Sequence, residues 1–226
     1  DFLIEGGLWD GYQLHQLYDE AHTPYEWHQD LFKFAKNIGI TLFSTPFDET
    51  AVELLESLNT PAYKIASFEL TDLPLIKLVS QTKKPLLMST GMASENEIEE
   101  AISTAKENGC KSILIFHCVS SYPAVTEQSN LSYVKHLKDT YNVEVGLSDH
   151  TLNNSAVISA ITLGASAIEK HFTIDKNTGV DGQFSLDVEE LKELVKTAKT
   201  TWLSIGNGEN NRSSSELENR KFRRSI

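Results

Sequence analysis

Apolar positions along this chain fall into two alternating patterns. Short apolar runs occur at ITLFSTPF (40–47), AYKIASFE (62–69), PLLMSTG (85–91), SILIFHCVS (112–120), VEVGLS (143–148) and SAIEKHFT (166–173), and each reads as a strand. Helical spacing fills the intervals. DETAVELLESL runs into Asn59 and Pro61, and SENEIEEAISTAKENG carries Ser94 followed by Glu97, a capping-box signature, with Gly109 as its stop. Ahead of the first strand, QLHQLYDEA and YEWHQDLFKFAKNIG are predicted helices divided by Thr23-Pro24; the second spaces Trp27, Leu31, Phe34 and Ala35 helically before Gly39. After the last strand, LDVEELKELVKTAKTTWLSIG places Val188, Leu191, Leu194, Val195, Ala198 and Trp202 on one stripe.

A strand-helix unit repeated six times predicts a parallel sheet covered by helices. The polar residues choose between an open sheet and a barrel. An open doubly wound sheet gathers its site at one switch point, whereas here nearly every strand ends in polar or ionisable groups: Thr45, Ser67 and Glu69, Ser89, Ser120, Ser148 and His150, Glu169 and His171. The expectation is an α/β fold of the (β/α)8 TIM-barrel type, incomplete, with six of its eight βα units present. Residues 1–205 would form the barrel domain without its first two strands, and 206–226 a polar linker.

Composition narrows the partners. A chain of 226 residues, 40% hydrophobic, can bury a sizeable core. Its net charge of −12 argues against nucleic acid or an anionic membrane as partner, since both demand a basic surface. Cys110 and Cys118 lack CxxC spacing and no secretory segment is present, which predicts a reducing, cytoplasmic setting. An anionic substrate must therefore find a local positive site.

The strand ends supply one. Hydroxyls at Thr45, Ser67, Ser89, Ser120 and Ser148, with Lys64 within a contributing strand, suit a phosphate, although such hydroxyls also satisfy turn amides. Strict alternation puts Lys64 and Ser67 on opposite faces, so one of them needs a twist or a loop to reach the lumen. His150 and His171 end successive strands, and a parallel crossover brings such ends together. Ser148 shares a face with His150, and Glu169 with His171, while Lys170 points away. The histidines could be metal ligands, an acid/base pair or polar caps, and Lys64 could clamp a phosphate or act as a Schiff-base nucleophile. Glu69 and Asp181 could bind a sugar hydroxyl or amide, transfer a proton, or cap a helix.

The motifs YKIASFE (63–69), STGMAS (89–94), HCVSSYP (117–123), GLSDHT (146–151) and EKHFT (169–173), in this order, resemble the sialic acid synthase family. GGLWDG (6–11), AHTPYEWH (21–28) and FSLD (184–187) resemble its pseudaminic acid synthase branch more than its N-acetylneuraminate branch. The resemblance implies condensation of phosphoenolpyruvate with an N-acylated amino sugar, 2,4-diacetamido-2,4,6-trideoxy-L-altrose in that branch, with release of phosphate and use of a divalent metal, Mn2+ or Mg2+. It implies that His150 and His171 are the metal ligands, and that Lys64, Ser67, Ser89 and Ser148 hold phosphoenolpyruvate. Thr45 and Tyr122 match the pocket, Glu69 and Asp181 match carboxylates facing the acceptor, and Ser120 stands where neuraminate enzymes carry asparagine. It also implies a homodimer when full length, completed by a C-terminal antifreeze-like domain toward which NRKFRRSI would lead. Those enzymes carry a catalytic glutamate, lysine and glutamine on two further strands that do not precede Asp1, so weak or no activity is expected of this chain alone. The other readings are an N-acetylneuraminate or legionaminate synthase, a Lys64 aldolase, and a non-catalytic anion- or sugar-binding remnant.

Overall fold

The computed structural model describes residues 2–210 and 212–224, so the parts of the predicted barrel domain and linker at residues 1, 211, 225 and 226 lie outside the described residues. Helices α1 (Leu14–Ala21), α2 (His28–Ile38) and α3 (Glu49–Ser57) come first. Then strands β1 (Tyr63–Ile65), β2 (Leu86–Ser89), β3 (Ile113–Cys118), β4 (Glu144–Ser148) and β5 (Ile168–Glu169) form one parallel sheet in sequence order. Helices α4 (Leu73–Gln81), α5 (Glu95–Glu107), α6 (Ser132–Tyr141) and α7 (Ser155–Thr162) occupy the crossovers, and α8 (Val188–Ile205) and α9 (Ser214–Glu218) follow. The Ser94 capping box forms as predicted, and Asp187 with Glu190 makes another at the start of α8. Gly39, at φ 76°, closes α2 in the left-handed region that glycine tolerates. No helix among the described residues is long and apolar enough to cross a membrane.

The predicted strand at 40–47 does not form, so the sheet has five strands among the described residues rather than six. That run passes from α2 to α3 without pairing to β1. Pro46 has no N–H to give a ladder, and among the described residues no strand flanks the run on its other side. At the opposite edge β5 is only two residues long, and a single parallel bridge between Phe172 and Leu186 extends it.

The pleat sorts the sheet into two faces. Tyr63, Ile65, Leu86, Met88, Ile113, Ile115 and Val145 pack with Leu55, Ile76, Ile98, Ile102 and Leu137 of the helices into one buried cluster. Residues of the other parity line the concave side. Register pairs Lys64 with Leu87, Ser89 with Phe116, Phe116 with Gly146, Cys118 with Ser148, and Ser148 with Glu169. Lys64 and Glu169 belong to the first and last strands, which a flat five-stranded sheet would hold about 19 Å apart. Their charged ends are 3.4 Å apart, so the sheet is curled into a half-barrel.

The stripe predicted on α8 is only half used. Leu194 is buried against Val157, Ile161 and Leu186, with Leu191 and Ala198 beside it. Val195 and Trp202 stay exposed because the packing on α7 and Leu186 covers only part of the stripe. Replacing the fully buried Ile115 with alanine is expected to cost about 2–5 kcal/mol, against less than about 0.5 kcal/mol for Val195→Ala; urea denaturation of both variants measures the difference.

Candidate active site

A cleft of about 330 Å³ opens at the C-terminal ends of the strands, lined by Thr45, Lys64, Ser67, Ser89, Cys118, Tyr122, Ser148, His150, Glu169 and His171 among others. Most of the residues predicted from the sequence therefore converge. The conflict between Lys64 and Ser67 is settled by the backbone. β1 ends at Ile65, and a 3-10 turn over Ser67–Glu69 swings Ser67 to the side that Lys64 already faces.

The floor of the cleft is built around the Lys64 ammonium. Gly146 has no Cβ, and one placed there would lie 2.7 Å from the Phe116 ring; glycine thus lets that ring lie across the concave face. Lys64 Nζ sits 5.6 Å from the ring centroid and 3.4 Å from Glu169 Oε2. Glu169 Oε1 accepts a 2.7 Å hydrogen bond from Ser148 Oγ. Nearby, Gly91 N donates to Ser67 Oγ at 3.1 Å, and a Cβ on Gly91 would fall 2.1 Å from Ser120 Oγ and 2.8 Å from Ser67 Oγ. Ser89 Oγ is buried with no hydrogen-bond partner. An ammonium and the hydroxyls of Ser67, Ser89 and Ser148 crowd one end of the cleft, with Gly91 and Ser120 beside it and the Ser89 hydroxyl still unsatisfied, and that combination suits an anion with several oxygens.

The imidazoles hold the other end. The His150 and His171 rings lie 5.2 Å apart between centroids. His150 Nδ1 is 3.0 Å from the Val119 carbonyl, and His171 Nδ1 is 3.2 Å from Asp181 Oδ2. Protein partners on Nδ1 commonly orient metal-binding histidines; here that leaves Nε2 of His171 for a cation, while His150 also interacts with Cys118. Two imidazoles fit a divalent cation whose remaining positions are filled by oxygen from water or substrate. Among the described residues no group of three or more His, Cys, Asp or Glu is placed to hold a metal. Burial works against charge on His150, yet its hydrogen bonds to Cys118 and the Val119 carbonyl leave its pKa raised. Burial works to raise the Cys118 thiol, and His150 with the Ser67 and Ser120 hydroxyls brings it below the ordinary value.

An aromatic wall borders the imidazoles. Tyr122 lies 4.4 Å from His150 between centroids, and Phe184 lies 4.8 Å from His171. Trp9 packs on both Tyr122 and Phe184, and its indole Nε1 donates to the Val180 carbonyl at 3.0 Å. Burial, with Cys118, Asp181 and Glu169 nearby, pushes the Tyr122 phenol up to about 12.

Glu69, Ser120 and Asp181 lie beside the cleft rather than among its lining residues. Ser120 reaches the Gly91 cradle, Asp181 holds His171, and Glu69 has a buried carboxylate oxygen without a partner. Sequence reasoning passed over Glu169 as a partner of Lys64, Cys118 beneath His150, and Trp9 and Phe184 as a wall. Parity placed Glu169 on the right face; its partner needed the curl of the sheet.

A parallel half-barrel with polar side chains converging at its strand ends defines a protein of the α/β-barrel type whose cleft joins an ammonium and hydroxyls to two imidazoles. Residues 1–210 match the NeuB family model, and the chain belongs to the NeuB family. It is 42% identical over 227 residues to a pseudaminic acid synthase of Campylobacter jejuni (strain 81-176), covering 100% of this chain and 66% of that protein. It is 39% identical over 207 residues to an N,N'-diacetyllegionaminic acid synthase of Campylobacter jejuni (strain NCTC 11168), covering 90% of this chain and 62% of that protein. The chain thus spans about two thirds of the length of these curated relatives. A crystal structure of N-acetylneuraminic acid synthetase from Leptospira borgpetersenii, in complex with citrate, superposes with a TM-score of 0.85 at 31% identity, over 93% of this chain and 74% of that one.

Burial is the main cause that raises the pKa of Glu69, so the folded state takes up its proton more readily than the unfolded state. The stability this contributes is full below the unfolded carboxylate pKa and is lost as pH rises through the raised one. Wild type should therefore lose stability relative to Glu69→Gln as pH rises from the ordinary carboxylate range through the raised pKa, read as diverging melting temperatures.

Proposed function

We propose that this protein is a nonulosonic acid synthase that condenses phosphoenolpyruvate with 2,4-diacetamido-2,4,6-trideoxy-L-altrose, releasing phosphate and forming pseudaminic acid. The observation that carries the reading is the junction, in one cleft, of the Lys64 hydroxyl-rich end with the His150 and His171 pair. The similarity to pseudaminic acid synthase supports the choice of acceptor, and the legionaminic relative keeps a related diacetamido sugar as the second reading. We place the whole protein in the cytoplasm, as a homodimer whose eight-stranded barrel contains residues 1–205, with 206–226 linking to an antifreeze-like domain.

Each part of the cleft has a task in this chemistry. Lys64, Ser67, Ser89, Ser148 and the Gly91 N–H hold the phosphate and carboxylate of phosphoenolpyruvate, with Ser120 and Thr45 at the margin. Glu69 and Asp181 accept from hydroxyl or amide groups of the sugar, and Tyr122 with Phe184 packs against its apolar side. Orientation by Val119 and Asp181 presents His150 and His171 to a divalent cation, Mn2+ or Mg2+, which when bound would supply Lewis acidity toward the aldehyde oxygen. Carbon 3 of phosphoenolpyruvate bonds to the aldehyde carbon, water adds at carbon 2, and phosphate departs from that carbon. Lys64 stabilises the leaving phosphate as a fixed charge. Its engagement with Glu169 and the Phe116 ring suits that role better than a free nucleophilic amine.

The test is phosphate release by the full-length protein supplied with phosphoenolpyruvate, Mn2+ and each acceptor in turn. Release with the trideoxy-altrose sugar, abolished by His150→Ala and lowered about 100- to 1,000-fold in kcat by Lys64→Met, is the expected result. Release only with N-acetylmannosamine or a legionaminate precursor would move the protein to another branch. Turnover that ignores chelators and yields a borohydride-trapped lysine adduct would favour the aldolase, and tight phosphoenolpyruvate binding without turnover the binding remnant. Gly91→Ala pushes a methyl group into the Ser67 and Ser120 hydroxyls, so its KM for phosphoenolpyruvate should rise while KM for the sugar changes little.

A further inference from the structure

Between the cleft residues of β4 and β5 lie two charges with no place in the chemistry above. The side chains of Asp149 and Lys170 are 3% and 4% exposed, and Lys170 Nζ lies 3.0 Å from Asp149 Oδ2. The same ammonium donates to the Thr151 carbonyl at 2.6 Å. Asp149 in turn accepts from Thr151 N at 3.0 Å and from Thr151 Oγ1 at 3.1 Å. Buried ion pairs are poor stabilisers compared with apolar packing, because desolvation consumes most of the attraction. Overall stability is therefore a weak reason for the pair.

Its position supplies a better reason. The β4–β5 ladder ends with Asp149 N donating to the Glu169 carbonyl at 3.0 Å, and His150 and His171 both come after that bond. Residues 148, 150, 169 and 171 line the cleft; Lys170 borders it too, but its side chain is buried and turned to Asp149, which is not among the lining residues. The Lys170 ammonium holds the residues on both sides of His150, and it is carried by the residue immediately before His171. Separate anchors fix each strand end alone: Ala124 N donates to the His150 carbonyl, and Leu186 N to the His171 carbonyl. The Lys170 knot ties one end to the other.

We propose that the Asp149–Lys170 ion pair is a positioning device that sets the separation and orientation of the His150 and His171 imidazoles for a divalent cation. The proposal rests on the reading of these histidines as metal ligands. Neutralising both partners removes the tie without leaving a lone buried charge, so Asp149→Asn combined with Lys170→Met is the informative variant. Manganese binding to the full-length protein, followed by the loss of the free Mn2+ electron spin resonance signal, is measured beside thermal unfolding. A variant that unfolds cooperatively but binds Mn2+ about 10- to 100-fold more weakly supports the proposal, as does near wild-type binding by Lys170→Arg. Should the double variant not fold, Thr151→Val, which removes only the hydroxyl that braces Asp149, is expected to weaken Mn2+ severalfold. Unchanged affinity in whichever of the two is folded overturns the positioning role alone, whereas wild-type protein that binds no Mn2+ overturns the metal reading and this proposal with it.

Discussion

The ion pair between Lys64 and Glu169 crosses the concave side of the sheet and joins its first strand to its last. Such a contact exists only because the sheet curls, and the curl depends on helices packing one apolar parity of every strand from outside. Once the sheet is curled, the other parity faces a confined space in which charges are costly unless partnered. Glu169 answers that cost for Lys64, Phe116 supplies its ring face, and Ser148 satisfies the second carboxylate oxygen. The cleft is thus a nearly closed set of polar contacts in which Ser89 Oγ remains unpartnered, and beside it one oxygen of Glu69 is unpartnered too. Those two atoms mark where a ligand has something to gain.

On the proposed reading, this arrangement explains how a chain of net charge −12 presents a site for an anion. Net charge gives no long-range attraction, so recognition has to be local: one ammonium and a group of hydroxyls. Glycine makes the crowding possible at two positions. At Gly91 a side chain would occupy the space of the Ser67 and Ser120 hydroxyls, and at Gly146 it would displace the Phe116 ring that lies under Lys64. Neither glycine has a positive φ; each is required by close approach rather than by a turn.

Much of this was legible in the sequence because strand periodicity is a strict rule. Parity put Ser148 with His150 and Glu169 with His171, and located the strand ends where the cleft lies, although Lys170, expected to point away, also borders the cleft. The Ser94 capping box and the Gly39 stop followed from equally local chemistry. What escaped was whatever depends on distant neighbours. The run at 40–47 has strand-like composition but no ladder, since pairing needs a partner as well as a propensity. The α8 stripe predicted burial for Trp202, yet burial requires a facing surface, and Trp202 is exposed. The Lys64–Glu169 pair and the Trp9 contact link residues more than 100 positions apart, and no local pattern encodes them.

The Trp9 contact bears on how the two ends of the cleft can differ. The loop that carries Trp9 comes from the beginning of the chain, and its indole bonds to Val180 in the loop after β5. It adds a third ring to Tyr122 and Phe184, so the imidazole end is walled by aromatic surface while the Lys64 end is lined by hydroxyls. Aromatic walls exclude water and lower the local dielectric, which strengthens whatever charge interaction the imidazoles make. Hydroxyls can replace the hydration shell of an anion and release it as readily. On the proposed reading, that division matches the reaction. The phosphate must be bound and then let go at one end, while at the other the aldehyde must be held away from water until the carbon–carbon bond has formed.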